Sequence, residues 1–260
     1  MKNIFLLRYD TERGDQDEMG GFFDKIIAVH REEEIPATFF CTGSAIEDRE
    51  SDFKHFFDDL KDDPLFDIQD HSYSHIGIGY ADGMDVDDLK ADYQRSFDAH
   101  ERVFGRLPIG VAICGTGGED GERLNGFDET EKGRQELNML ADLGVRMINS
   151  HLVDLDEATQ FCNFAALGHP DIMGFPSGYS DTDWLLRKDY NDGMDFVYSK
   201  INEHAETSVP MPLMLHDWVT WSHAPDKELT HVKKIADYAR KKGYELKTHL
   251  SCYQSPTIWK

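Results

Sequence analysis

Short apolar runs of strand length alternate along this chain with longer segments of helical period. The runs are NIFLLRY from residue 3, ATFFCTG from 37, PLFDIQ from 64, IGVAIC from 109, VRMINS from 145, IMGFP from 172, PLMLH from 212 and YELKTHL from 244. Between them, apolar residues recur every three or four positions over 20–34, 45–60, 86–104, 130–143, 190–206 and 227–242, which predicts helices. Strand and helix in alternation is the pattern of βα units around a mostly parallel sheet. About seven such units favour an incomplete or distorted α/β barrel over an open sheet. The 260 residues carry no Ser-, Gly- or Pro-rich linker, so residues 1–260 read as one domain.

Barrels of this kind place their chemistry at the carboxyl ends of strands, where the loops converge. The conspicuous polar residues fall there. Asp10 and Glu12 follow the first strand, His71 and His75 follow PLFDIQ, residues 180–184 follow IMGFP, and His216 closes PLMLH. Two histidines four apart are weak evidence of a metal when taken alone, because a chain with 12 histidines contains such pairs by chance. Carboxylates on a neighbouring rim strengthen it: two imidazoles and one carboxylate leave positions on a divalent ion for water and substrate. In D-x-E at a strand end both side chains share a face, so one acid can hold the ion while the other takes a proton. His216 then suits the donor of a proton to a departing amine. Together these residues suggest metal-assisted hydrolysis of an amide.

Composition narrows the partners. Fifty Asp and Glu against 27 Lys and Arg give a formal charge of −23, which repels phosphate backbones and anionic membranes, so neither nucleic acid nor membrane insertion is expected. The glycine-rich CGTGGEDGER lacks the GK[ST] of a phosphate-binding loop and carries acids; residues 115–121 read as a rim loop. Cys41, Cys114, Cys162 and Cys252 follow no metal-binding spacing and are expected as reduced thiols, and with an N-terminus too short in apolar residues for a signal core a cytoplasmic location is the expectation.

In order along the chain, LRYDTE, IPATFFCTG, DIQDHSYSH, FGRLPIGVAICG, SDTDW, LMLHDW and ADYARKKGYELKTH resemble the successive motifs of the polysaccharide deacetylase superfamily, the NodB-homology or carbohydrate esterase family 4 group. The resemblance implies a distorted (β/α)7 barrel and a divalent ion, Zn2+ first with Co2+, Ni2+ or Mn2+ as alternatives. It implies Glu12, His71 and His75 as ligands, with Asp10 as the other candidate carboxylate. It further implies Asp10 as general base, His216 as general acid, Asp183 as the acid that orients His216, and Trp184 and Trp218 as groove residues for an acetylated sugar. Ser72 is expected to shape the loop between the two histidines. One departure stands out: the family's third motif supplies an Arg that holds the base, and this chain has Ala112 there and Cys114 at a Pro position. Arg8, Arg106 and Arg187 are the candidates to replace it. A small non-sugar amide as substrate, or a catalytically silent metal- or carbohydrate-binding protein, are the alternative readings.

Overall fold

A computed structural model describes residues 3–13, 21–78, 85–114, 127, 130–149, 160–176, 178–207 and 209–259. The expected rim loop at 115–121 lies outside these residues. The strands are β1 (Ile4–Thr11), β2 (Ala37–Cys41), β3 (Phe66–Asp70), β4 (Gly110–Ala112), β5 (Met147–Asn149), β6 (Cys162–Phe164), β7 (His169–Phe175), β8 (Tyr179–Ser180), β9 (Met211–His216) and β10 (Glu245–Lys247). The helices are α1 (Phe22–Glu32), α2 (Gly43–Asp48), α3 (Glu50–Leu60), α4 (Val86–Phe104), α5 (Glu131–Asp142), α6 (Tyr190–Thr207), α7 (Asp217–Ser222), α8 (Thr230–Lys241) and α9 (His249–Tyr253).

The sheet runs β6-β7-β5-β4-β3-β2-β1-β9-β8. It is parallel throughout except for β6, which is antiparallel to β7. It curls into a half-barrel wrapped by helices, as the distorted barrel reading requires. β1 is its hub: β9 pairs with it from Phe5 to Asp10, while β10 pairs at Ile4–Leu6 and β2 at Arg8–Thr11.

Alternation along the strands explains how the site is built. Phe5, Leu7 and Tyr9 of β1 enter the main core with Phe39 of β2, Leu213 and Leu215 of β9, and the faces of α1, α3 and α8. The intervening Ile4 and Leu6 turn inward, where they pack with Met147, Met173, Phe175, Cys252 and Trp259. The period of two then carries Arg8 and Asp10 to the same inner face, above this apolar floor.

Helix boundaries follow local chemistry. α4 covers the expected 86–104 because the Asp85 side chain accepts from Asp87 N at its start and Gly105 takes a left-handed conformation, φ 68°, at its end. The predicted helix at 45–60 is two helices broken at Arg49. The predicted strand YELKTHL stops early, since the Thr248 side chain accepts from Ser251 N and opens α9. All four cysteines are free thiols. No helix among the described residues is long and apolar enough to cross a membrane.

Candidate metal and catalytic site

β3, β2, β1 and β9 end side by side, and the carboxyl ends of β1, β3 and β9 supply most of the site. Asp10 lies beside His216 in the β1–β9 register. His71 follows β3 on the inward face and is buried, and its backbone N–H donates to Cys41 O of β2. Beyond it the chain turns rather than winding into a helix: Ser72 and His75 have φ of 57° and 60°. Left-handed conformations are costly for these residues, and neighbouring groups hold them. Ser72 N donates to Asp70 Oδ2 at 2.8 Å, Ile76 N to Ser72 Oγ at 2.9 Å, and Tyr73 N to Asp92 Oδ1 of α4 at 2.8 Å. Ser72 therefore shapes the loop, as expected.

His71 Nδ1 faces the Ala112 carbonyl at 2.9 Å, which assigns the proton to Nδ1 and leaves Nε2 with its lone pair exposed to the site. That Nε2 lies 3.5 Å from Asp10 Oδ2 and 3.4 Å from Glu12 Oε1, and His75 Nε2 lies 3.0 Å from the same Glu12 oxygen. His71 Nε2, Asp10 Oδ1 and Glu12 Oε1 are all buried with no hydrogen-bond partner. Buried polar atoms are rarely left so, and Asp10, Glu12 and His71, each with a ligand atom within 4.8 Å of the others, fit a cation. Burial alone would push Glu12 up, but the His71, His75 and His216 imidazoles beside it hold it well below the usual carboxylate range. Burial would pull His71 down, but Cys114 first, then Asp10 and Glu12, push it well above an ordinary imidazole. The cluster is built to hold one positive charge, a proton or a metal ion.

Asp10, Glu12 and His71 can converge on an ion, and so can His71, His75 and Cys114. The second set fits less well. Cys114 Sγ approaches His71 at Nδ1, 3.4 Å, the nitrogen already used by Ala112 O, and burial pushes its thiol up. The carboxylates with His71 and the adjacent His75 are the better donors.

Opposite them stands His216, its Nε2 3.8 Å from Glu12 Oε1. Its Nδ1 bonds to Asp181 Oδ1 at 2.6 Å, and its backbone N–H donates to Asp181 Oδ2 at 2.8 Å. The acid expected here was Asp183. Instead Asp183 is exposed and pairs with Arg187 on the surface at 3.0 Å. The register explains the difference: Tyr179 and Ser180 pair with Leu213 and Met214, so the next residue, Asp181, reaches the end of β9, and a π-helical turn over Thr182–Leu186 carries Asp183 outward. Burial pulls His216 down, but Asp181 outweighs it and pushes the imidazole up to about 9.

Trp184 is also corrected. It is fully buried in the main core and lines no groove. Trp218 is at the rim as expected, its Nε1 3.4 Å from Glu12 Oε2, with the Arg13 guanidinium 5.1 Å from its ring. Two acids missed in the sequence complete the site. Asp181 was hidden behind Asp183 in SDTDW. Asp217, adjacent to His216, accepts from Trp218 N at 2.8 Å and Arg13 N at 3.3 Å, which fastens the segment after β1; burial and Glu12 push it up to about 7.

The polysaccharide deacetylase family model matches residues 6–125. No protein of curated function matches the chain by sequence. Among solved structures, a protein of Mycobacterium smegmatis assigned to the polysaccharide deacetylases superposes with TM-score 0.72 and 13% identity, over 98% of this chain and 90% of that one. The chitin deacetylase of the fungal pathogen Colletotrichum lindemuthianum gives 0.61 and 14%, over 97% and 88%. A carbohydrate esterase family 4 pseudoenzyme from Bacillus anthracis gives 0.60 and 13%, over 97% and 66%. These likenesses are of fold, and the half-barrel is the one they share. With the match over residues 6–125, they show that the chain has the fold of the polysaccharide deacetylases and resembles them in sequence over that part.

Proposed function

We propose that the chain is a divalent-metal-dependent hydrolase that removes the acetyl group from an N-acetylated sugar or polysaccharide. The observation that carries this reading is the pairing, across one mouth, of an oxygen- and imidazole-lined cation site with a histidine held by its own buried acid. Glu12, His71 and His75 would hold the ion, which supplies Lewis acidity to the acyl oxygen when bound. Asp10, whose Oδ1 is unpartnered, takes a proton from the attacking water. His216, kept protonated by Asp181, gives its proton to the departing nitrogen as the carbon–nitrogen bond breaks. An amine leaves poorly without that proton, which is why a donor with a raised pKa suits an amide. The products are acetate and the free amine. Trp218 at the rim offers a face for a sugar ring.

Purified protein should contain about one Zn2+, Co2+, Ni2+ or Mn2+ per chain, lost in His71→Ala and His75→Ala. It should release acetate from N-acetylglucosamine oligomers, and His216→Ala should abolish release while keeping the metal. Metal bound without release of acetate from oligomers, nucleotide-linked sugars or small acetamides would instead support a silent binding protein; a pseudoenzyme with this fold is known.

A further inference from the structure

The strand that carries Asp10 also carries its cation. Arg8 and Asp10 are two apart on β1, and both point into the half-barrel, where their side chains are 5% and 3% exposed. Arg8 Nη2 donates to Asp10 Oδ2 at 2.9 Å. The other arm of the guanidinium, Nη1, donates to Asn149 Oδ1 at the end of β5 at 2.5 Å. Asn149 Nδ2 meets His249 Nε2 at 2.7 Å, and His249 is held in turn by Thr38 Oγ1 at 3.0 Å. Met214 Sδ touches Nη2, and the Phe40 ring lies 5.7 Å away. The fork is clamped on both arms. One oxygen of Asp10, the one 3.5 Å from His71 Nε2, is thereby fixed, and Oδ1 is left buried without a partner.

We propose that Arg8 is the positioning residue for Asp10 in the hydrolysis, doing from β1 what Ala112 cannot do from β4. The inner face of β4 has no side chain of useful length: a Cβ on Gly110 would meet Met147 and Gln69, and Ala112 is the next inward position. The other two candidate arginines do not reach the base. Arg106 donates to Ile68 O and lies over Phe57, and Arg187 pairs with Asp183 outside. A buried ion pair contributes little net stability compared with an apolar pair of the same volume, so its value here lies in the geometry it imposes. The bidentate fork makes lysine a poor substitute.

This inference rests on the hydrolase reading, and two readouts separate them. In steady state on an acetylated oligomer, Arg8→Ala should lower kcat about a hundredfold or more with KM changed little, the cost of a base out of position. Arg8→Lys should recover only part of the loss, and added guanidinium ion should restore Arg8→Ala. Metal stoichiometry should match the wild type in both variants. An unchanged kcat, or loss of the metal from both variants, would overturn the proposal. Crystal structures of the Zn2+-loaded wild type, R8A and R8K decide the point without turnover. Asp10 should leave its wild-type rotamer in R8A, and in R8K should keep at most a single bond to the ammonium. Asp10 unmoved in R8A, or unmoved in R8K if R8A does not fold, refutes the role of Arg8; a wild type that turns over no acetylated substrate refutes the hydrolase reading instead.

Discussion

Replacing Asp181 with Asn should convert a nearly pH-independent proton donor into one that fails in mild alkali. His216 is 12% exposed at its side chain, so burial alone would favour the neutral ring, and its rise from 6.5 to about 9 is owed first to Asp181 and then to Glu12 and Asp10. That rise corresponds to roughly 3 kcal/mol in favour of imidazolium, about 1.4 kcal/mol for each pKa unit. With Asn at 181, burial stands opposed only by the more distant acids, and the imidazole returns to about 6.5 or below. A donor must carry its proton. At pH 8 the protonated fraction then falls from about nine-tenths to a few hundredths, a loss of about thirtyfold in kcat/KM, while at pH 5.5 the two proteins differ little. A cation near Glu12 lowers both curves, so the predicted quantity is the displacement of the alkaline limb between wild type and variant, about two and a half units toward acid. The assay is initial-rate acetate release from pH 5 to 10 at saturating metal. Equal losses at pH 5.5 and pH 8 would refute the electrostatic argument and reduce Asp181 to a residue that only orients the ring.

The two tryptophans should separate cleanly. Trp184→Ala, which empties a fully buried site, should cost about 3–5 kcal/mol by denaturant unfolding, whereas Trp218→Ala should leave the unfolding midpoint nearly unchanged and raise KM for an acetylated oligomer by roughly two- to tenfold. A destabilised Trp218→Ala with unchanged KM would remove it from the groove. Gly193→Ala should also destabilise, because a Cβ there falls on the Trp184 carbonyl of the π-helical turn; a midpoint equal to wild type in urea would show that α6 can shift away. Burial pushes Asp67 up to about 6, against the pull of Gln69, so the folded state binds a proton that the unfolded chain has released. The stability this gives is complete below about pH 4 and is lost as pH rises through 6, by roughly 2–3 kcal/mol at most. Asp67→Asn forfeits an acceptor for Leu250 N at every pH, yet its stability relative to wild type should improve from pH 4 to 7; a flat difference curve would refute the shift.

The fold was readable because the strands obey one rule. Their outward residues feed the helical shell, and their inward residues are apolar at the base and polar at the carboxyl end: Ile4 and Leu6 below Arg8 and Asp10, Met147 below Asn149. Any polar residue closing such a run is therefore a candidate for the mouth, which is why Asp10, His71 and His216 were expected there, and the structure places them close together. What escaped was set by elements too short for periodicity to mark. β8 has two residues, and only its register on β9 distinguishes Asp181 from Asp183. The π-helical turn that follows buries Trp184, although from the sequence, directly after Asp183, it looked like a groove aromatic. Arg8 is the contrary case. Arg and Asp two apart in LRYD must share a face of the strand, so the replacement for the missing third-motif cation was within reach of the pleat alone. The structure adds what the pleat cannot, that Asn149, Met214 and Phe40 close around the guanidinium and leave it no other carboxylate to meet among the described residues. A cation so confined, beside an acid with one oxygen free, turns a motif departure into a rearrangement of the same site.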